Sequence, residues 1–312
     1  MDVSAISYRP GVDHEASAAF QVFRQSINDF YVRTGQARVA DVDDQSPWYR
    51  HMMLLDGERF WVAERKRELV GFGAAIVRDH WWFLSCLFVV PRLQGLGVGR
   101  ELLSRVLATA PPGGVRATIT DAAQPVSNTL YARHGLLPAL PLIPYRAAPS
   151  QVRGTAPLFS TEDDDDVPQA GSLRPEPLSE SAVPELEAID RVVLGFARTA
   201  DHRHLVADGR RGWLFRRAGR PVAYAMYRAN GWIGPLACVD EADVEPVLRH
   251  TLATVVAERP AVVWTGVPSP NVAAQRALVQ AGFVYDAPPA LLLRSEPFGD
   301  LSRYLPAGYG MM

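Results

Sequence analysis

The feature that most constrains this chain is a glycine-rich turn between a strand-like apolar run and a helix-like apolar run. The strand-like run ends at Val90, glycines alternate at Gly95, Gly97 and Gly99, and helical spacing starts at Arg100. Glycine lets the backbone adopt positive φ and lets a ligand approach the main chain closely. The free N–H groups and the positive dipole at the start of a helix favour an anion. This pattern predicts a turn that holds a pyrophosphate.

Two familiar phosphate-binding motifs do not fit the turn. No Gly-Lys-Ser/Thr follows it, so it is not a P-loop. Leu96 and Gly97 break the spacing of the G-x-G-x-x-G dinucleotide motif. From these residues alone, a glycine-rich turn without a ligand remains the alternative.

Composition excludes several classes of protein. The chain has 312 residues, enough for two domains, and is 48% hydrophobic and 21% charged. A formal net charge of −2 gives no electrostatic footprint for nucleic acid. No apolar run approaches the roughly 20 residues that span a bilayer, and the first residues do not read as a signal peptide. We expect a cytoplasmic protein without membrane partners, in which Cys86 and Cys238 are reduced and buried.

Apolar spacing predicts a similar order of helices and strands in the two halves of the chain. The first half has one long helix or two short ones over 16–34, helices over 100–110 and 126–134, and strands over 60–64, 69–78, 81–90 and 115–120. The second half has helices over 184–193, 244–257 and 272–280, strands over 212–216, 220–227 and 261–266, and an apolar run over 232–239. Residues 102–108 align with 247–253 at an offset of 145, and residues 130–136 align with 277–283 at an offset of 147. A duplicated domain is the simplest account.

The segment 149–172 separates the two halves. It is rich in proline, glycine and serine, and it contains the acidic run from Glu162 to Asp166. Turn formers and clustered like charge cannot bury enough apolar surface to fold alone. We therefore predict domains over 1–148 and 173–312, joined by an acidic flexible linker over 149–172.

Two motifs of the first half resemble signatures of the GNAT superfamily of N-acetyltransferases. Residues 94–99 (QGLGVG) fit the Q/R-x-x-G-x-G/A acyl-CoA motif, and residues 124–136 are similar to the second signature, N-x-x-A-x-x-L-Y-x-x-x-G-F. The resemblance covers about residues 3–147. Together with the repeat, it implies an α/β (α+β) protein of the bacterial tandem type. Each of its two GNAT-like domains would be a mixed, mostly antiparallel sheet flanked by helices.

The resemblance implies acetyl-CoA as co-substrate and no metal. Backbone groups at the strand end would pair with the pantetheine arm, and amides of the turn would hold the pyrophosphate. The implied cofactor-binding residues are Leu87, Phe88, Val89, Gln94, Gly95, Leu96, Gly97, Val98, Gly99, Arg100, Gln124 and Ser127. Tyr131 would be the general acid that protonates the leaving thiolate. A buried tyrosine with a purely structural role is the alternative.

Two positions depart from the family pattern. The usual asparagine of the second signature is Gln124, and a common position for the general base is Ile119. The residues that could take the role of the base are Glu64, Asp79, His80, Ser85 and Asp121. A water chain, or an amine that is already neutral, would also serve.

Candidates for the acceptor site follow from the family, in which the first two helices usually set selectivity. They are Tyr31, Trp48, Trp81 and Asp121. Acidic and aromatic side chains together suit a cationic amine, and a solvated helix surface with aromatic core residues is the alternative. Strand alternation suggests that one of Trp81 and Trp82 is core and that the other lines the cleft.

The second half lacks both the tyrosine and the glycine-rich turn of the first half. Leu278 stands at the position of Tyr131, and residues 239–245 (VDEADVE) put four carboxylates and no glycine where the turn would be. Like charge there would repel a pyrophosphate, so we predict a degenerate, non-catalytic copy. The chain is thus expected to be a monomeric or homodimeric N-acetyltransferase for the primary amine of a small molecule. The alternatives are a non-catalytic acyl-CoA-binding or sensing protein and a protein N-acetyltransferase.

Overall fold

The computed structural model describes residues 6–36, 44–154 and 172–312. The chain forms two compact units: unit 1 is Met1–Pro138 with Leu293–Glu296, and unit 2 is Ala139–Leu292 with Pro297–Met312. The first division falls at Pro138, ten residues before the predicted domain end at 148. Most of the predicted linker, including its acidic run, lies outside the described residues.

Unit 1 contains five strands and four helices in its described part, apart from short 3-10 turns. They are β1 (Ser7–Pro10), α1 (Ala16–Arg33), α2 (Ser46–Leu55), β2 (Phe60–Arg65), β3 (Glu68–Arg78), β4 (Trp81–Val89), α3 (Val98–Leu107), β5 (Val115–Asp121) and α4 (Pro125–Ala132). The strands form one sheet in the order β1-β2-β3-β4-β5. Every neighbouring pair is antiparallel except β4 and β5, which are parallel.

Helix α3 packs on β3 where that strand carries two glycines. A Cβ on Gly71 would lie 3.2 Å from Leu102 Cδ1, and one on Gly73 would lie 3.3 Å from Val106 Cγ2. The missing side chains at these two positions therefore allow α3 to pack closely on the sheet. A distant segment also belongs to this unit: the Arg116 backbone N–H donates to Ser295 Oγ at 3.0 Å.

Further strands and helices follow in chain order from residue 137 onward. They are β6 (Leu137–Ala147), β7 (Arg174–Pro177), α5 (Val183–Val193), α6 (Thr199–Ala207), β8 (Arg211–Arg217), β9 (Arg220–Tyr227), β10 (Ile233–Cys238), α7 (Val244–Ala257), β11 (Val263–Pro268), α8 (Val272–Gln280), β12 (Val284–Tyr285), β13 (Ala290–Arg294) and β14 (Tyr304–Leu305). Strands β14-β10-β9-β8-β7 form one sheet in that order. Strand β6 pairs antiparallel with β11 and β12.

The predicted fold class, mixed and mostly antiparallel sheets flanked by helices, is confirmed. Helices α7 and α8 have the bounds that the apolar spacing predicts. Cys86 and Cys238 are free and buried, also as predicted. Across the described ranges, none of the helices combines the length and the apolar character that crossing a membrane requires.

Candidate functional site

Strands β4 and β5 of unit 1 separate halfway along β4. Their parallel register runs from Trp81 opposite Val115 to Leu84 opposite Thr118, where Thr118 Oγ1 donates to the Leu84 carbonyl at 2.9 Å. The register of β4 with β3 skips Ser85, which forms a β-bulge at the same place. A bulge bends its strand and re-aims side chains. Residues 86–89 therefore keep their pairing with β3 but lie beyond the ladder with β5.

The glycine-rich turn follows β4 directly. A 3-10 turn over Pro91–Leu93 leads to Gly95 and Gly97, which have φ of 76° and 90°. No heavy atom lies within 4 Å of a Cβ built on Gly95, and the nearest to one on Gly97 is an Arg100 guanidinium nitrogen at 3.5 Å. Both glycines thus hold left-handed backbone with open space beside it, as the sequence pattern required.

Helix α3 begins immediately after this turn. Gly97 is its N-cap, so no side chain caps the first turn of the helix. The amides that open a helix have no intrahelical partner and attract an anion. Leu93 and Val98 are buried and hold the two ends of the turn, while Leu96 and Arg100 are exposed. The exposed residues of the turn thus border the uncapped start of α3.

The side chain of Gln94 has a structural contact within this arrangement. Its Nε2 donates to the Val89 carbonyl at 2.9 Å, and Ser26 Oγ of α1 donates to the same carbonyl at 2.7 Å. The end of β4 is thus fixed to the turn and to a helix. Of the implied strand residues, Leu87 and Phe88 are half-buried and Val89 is buried.

Tyr131 lies on α4 and is only 6% exposed. Burial raises the pKa of Tyr131 above its usual range, nearby Cys86 adds to the rise, and a hydrogen bond with Ser127 opposes it. Burial likewise raises the pKa of the Cys86 thiol to about 12. Both groups therefore keep their protons at neutral pH, and Tyr131 has a proton to give. Ser127 contacts Tyr131 as the i, i+4 spacing requires, and Gln124 is the N-cap of the same helix.

Trp48 lies at the place where the strands separate, and Asp121 lies three residues beyond Thr118, the last residue of β5 that pairs with β4. Trp48 Nε1 on α2 donates to Ser85 Oγ, the residue of the bulge, at 3.2 Å, and the Trp48 ring stacks on His51 with centroids 5.2 Å apart. Asp121 ends β5, and its Oδ1 accepts the Ala123 N–H at 2.7 Å. Partial burial raises the pKa of the Asp121 carboxyl, and this hydrogen bond opposes the rise.

Trp81 lies elsewhere, at the paired end of β4. It has no exposed surface, and it stacks on Phe83 with centroids 5.0 Å apart. Trp82 is also fully buried, so neither tryptophan faces outward as strand alternation suggested. Both faces of β4 are buried here, whereas alternation between buried and exposed side chains requires one face of the strand to be open to solvent. Tyr31 is half-buried near the C-terminal end of α1, and its ring lies 5.8 Å from that of Phe30.

The candidates for the general base separate into two groups. Ser85 lies at the bulge where β4 and β5 diverge, and Asp121 lies at the end of β5, beyond its pairing with β4. Glu64 is bound by Arg9, with Oε2 at 2.6 Å from a guanidinium nitrogen. Asp79 and His80 lie at the β3–β4 turn, where the His80 carbonyl accepts the Val115 N–H and closes the paired end of β4. The sequence missed α2, which carries Trp48 to the bulge; Pro47 near its start is the signal that could have indicated it.

Within residues 6–36, 44–154 and 172–312, no three or more histidine, cysteine, aspartate or glutamate side chains come together as a possible metal site.

Residues 21–136 match the model of the acetyltransferase (GNAT) family. This range includes the turn, α3, β5 and Tyr131. No curated protein matches the chain.

Solved structures share the fold over nearly the whole chain. A candidate acetyltransferase from Pyrococcus horikoshii has a TM-score of 0.73 at 13% identity, covering 100% of this chain and 98% of that one. A GCN5-related N-acetyltransferase from Sphaerobacter thermophilus has a TM-score of 0.58 at 15% identity, covering 97% and 100%. A tandem GNAT protein from the clavulanic acid biosynthesis pathway has a TM-score of 0.56 at 15% identity, covering 94% and 99%. At these identities the likeness establishes a tandem GNAT fold and nothing about substrate.

Proposed function

Because this chain carries a GNAT acetyltransferase domain at residues 21–136, we propose that it is an acetyl-CoA-dependent N-acetyltransferase whose acceptor is a primary amine of a small molecule. One observation carries the proposal. The separated end of β4 leads into an open left-handed glycine turn, and a protonated, buried tyrosine lies near Cys86 on that same stretch of β4. A binding surface for the donor and a proton for its leaving group therefore occur in one unit.

The residues present fit acetyl-CoA. Its pantetheine arm is rich in amides, and the backbone of Leu87 and Phe88 and the Val89 N–H lie beyond the β5 ladder, where they could pair with these amides, whereas the Val89 carbonyl is taken by Gln94 and Ser26. Gly95 and Gly97 leave open the space that side chains would fill. The uncapped start of α3 would hold the pyrophosphate with its amides, and exposed Arg100 would add positive charge.

Acetyl-CoA, when bound, supplies an acyl group activated as a thioester. Tyr131 holds its proton on Oη, because burial disfavours the phenolate. We assign to Tyr131 the delivery of that proton to the departing thiolate sulfur. Ser127 orients the hydroxyl through their hydrogen bond.

We place the acceptor amine between Ser85 and Asp121. These residues lie on the two diverging strands, and Trp48 contacts Ser85 from α2. A half-buried carboxyl attracts a cationic amine, and the raised pKa of Asp121 brings it closer to that of a useful proton acceptor. The Trp48 indole on the Ser85 side adds an aromatic surface of the kind that suits a cation.

The test is a panel of primary amines, each incubated with acetyl-CoA while free thiol and acetylated amine are both measured. We expect turnover for a subset of cationic small amines, with KM increased in Asp121→Asn and little changed in the control Glu58→Gln, an exposed carboxylate between α2 and β2. If acetyl-CoA binds but no amine is acetylated, the chain is an acyl-CoA-binding protein instead. If lysine side chains of folded proteins are acetylated and small amines are not, the acceptor class is wrong.

A further inference from the structure

Unit 2 repeats the backbone arrangement that separates β4 and β5 in unit 1. Trp232 and Trp264 form a parallel bridge, and Thr265 Oγ1 donates to the Ile233 carbonyl at 2.8 Å. The register of β10 with β9 then shifts between Ile233 and Leu236, as it does in β4 after Leu84. Ile233 is thus the counterpart of Leu84, and Leu236 and Ala237 are the counterparts of Leu87 and Phe88.

In unit 2 this edge of β10 is already paired. Leu236 lies opposite Leu305, and Ala237 lies opposite Tyr304, in an antiparallel ladder with β14. The Asn271 side chain, which stands at the position of Gln124, donates to the Tyr304 carbonyl at 3.3 Å. Residues 304–312, named here the filling segment, thus begin at the counterpart of the strand edge assigned to pantetheine in unit 1.

Two glycines provide the room for the filling segment. A Cβ on Gly234 would lie 2.1 Å from the Pro306 carbonyl oxygen, a distance that no real Cβ tolerates. A Cβ on Gly266 would lie 2.8 Å from Tyr309 Cε1. Their counterparts in unit 1, Ser85 and Ile119, carry side chains. Gly234 and Gly266 therefore leave space that the filling segment occupies.

Buried charged groups hold the filling segment in place. Arg198 donates to Tyr304 Oη at 2.8 Å and to the Met312 carbonyl, and its Nε lies 2.9 Å from Asp190 Oδ2. Arg210 donates to the Ala307 carbonyl at 2.6 Å. Asp190, Arg198 and Tyr304 are each at most 2% exposed. Buried charges are costly unless every partner is present, so these contacts favour one fixed position of the segment.

We propose that the separated strands of unit 2 form a peptide-binding slot whose ligand is the chain's own filling segment. Main-chain groups of Tyr304 and Leu305 pair with β10, and the Tyr304 phenol enters the buried Asp190–Arg198 cluster as a side-chain anchor. The second copy consequently has no room for a pantetheine arm, and the chain has one acyl-CoA site. This inference goes beyond the proposed function, since it holds whether or not unit 1 transfers an acetyl group.

The test is hydrogen–deuterium exchange on the full chain, read by mass spectrometry on peptides that cover the filling segment and β10. In the wild type we expect the filling segment to exchange as slowly as β10, both alone and with saturating acetyl-CoA. Exchange at the rate of an unstructured peptide would overturn the proposal. So would faster exchange on adding acetyl-CoA, because the donor would then be displacing the segment.

A variant makes the test specific. Gly266→Val puts atoms into the Tyr309 ring, so exchange of the filling segment should rise about tenfold. The matched control is Gly57→Val in unit 1, where a Cβ meets nothing within 4 Å, and it should leave the segment protected. In a Tyr309→Ala background the same Gly266→Val change should add little further exchange. An unchanged segment in Gly266→Val would contradict the contact, and if that variant unfolds, the wild-type measurements decide the question.

Discussion

The two strand–turn–helix segments, β4 to α3 in unit 1 and β10 to α7 in unit 2, share a backbone plan and differ in their turns. Gly97, left-handed, begins α3 and leaves its first turn without a side-chain cap. Before α7, the Asp240 side chain accepts the Ala242 N–H, and Asp243 is bound by Arg217. At the start of α3, backbone amides can therefore attract an anion. At the start of α7, carboxylates of the chain itself occupy the corresponding place.

The difference teaches that scaffold and chemistry are encoded at separate positions. The threonine that bonds the preceding strand is present in both units, as Thr118 and Thr265. The tyrosine is present only in unit 1. In unit 2 the corresponding position holds Leu278, which is fully buried. A repeat in sequence therefore predicts a shared fold, and only the residues at the turn and the slot predict what each copy can bind.

The largest effect should come from the tyrosine. Tyr131→Phe removes the proton donor and keeps the ring, so kcat should fall on the order of 10³-fold while acetyl-CoA affinity stays the same. The rate of thiol release gives kcat, and calorimetry gives the affinity for acetyl-CoA. The matched change in unit 2, Leu278→Tyr, should restore no activity to the Tyr131→Phe chain. Full activity of Tyr131→Phe would remove the general-acid assignment.

The next effect concerns the turn. Gly97→Glu puts a carboxylate at the start of α3 and forces a side chain into left-handed backbone, so acetyl-CoA affinity should fall by about 100-fold or more. Calorimetry should give one site per chain in the wild type and none in this variant. Gly57→Glu, at a position with open space, is the control. A residual site in Gly97→Glu would mean that unit 2 binds the donor after all.

A third effect is on stability and is confined to unit 2. Asp190→Asn leaves the Arg198 guanidinium buried with a neutral partner, which should cost about 3 kcal/mol of unfolding free energy. Glu245→Gln, in an exposed ion pair with Arg249, should cost about 0.5 kcal/mol or less. Urea unfolding followed by circular dichroism compares them. Equal costs for the two variants would show that the buried cluster does not stabilise the unit.

The smallest effect is a dependence on pH. Burial alone would raise the pKa of Asp190, but the charges of Arg198 and His202 outweigh it and lower that pKa to about 2. Its contribution to stability is therefore complete above its ordinary pKa of 3.8 and is lost as the pH falls from there to about 2. Asp121 has a raised pKa, so its contribution has the opposite sign and is lost as the pH rises.

Unfolding by urea at a series of acid pH values measures the first of these contributions. The Asp190→Asn variant should lose less stability than the wild type over that acid range. A parallel loss in both chains would mean that Asp190 is not the group that titrates.

The sequence predicted the elements that carry a signal in their own residues. Helices α7 and α8 and the turn at Gly95 and Gly97 are of this kind, since period and glycine placement are local signals. Strand β6 is not, because Pro138, Pro141 and Pro144 argue against a strand. It forms because β11 and β12 pair with it, which no local pattern records.

The candidate site was predictable to the same extent. The turn and Tyr131 carry motif spacing that a single sequence shows. The contact of Trp48 with Ser85 depends on where α2 lies on the sheet, and the filling segment depends on a pairing between β10 and β14. Both bring together residues far apart in the chain, and local propensity has no information about such contacts.

The hydrogen bond between Arg116 and Ser295 has a consequence for the order in which the protein is made. Its two residues are 179 positions apart, yet both belong to unit 1. At a synthesis rate of roughly 5–20 residues per second, Ser295 is added roughly 10–40 s after Arg116. During that interval the part of β5 that bonds Ser295 lacks this partner, so the hydrogen bond can complete unit 1 only after the intervening 178 residues have been made.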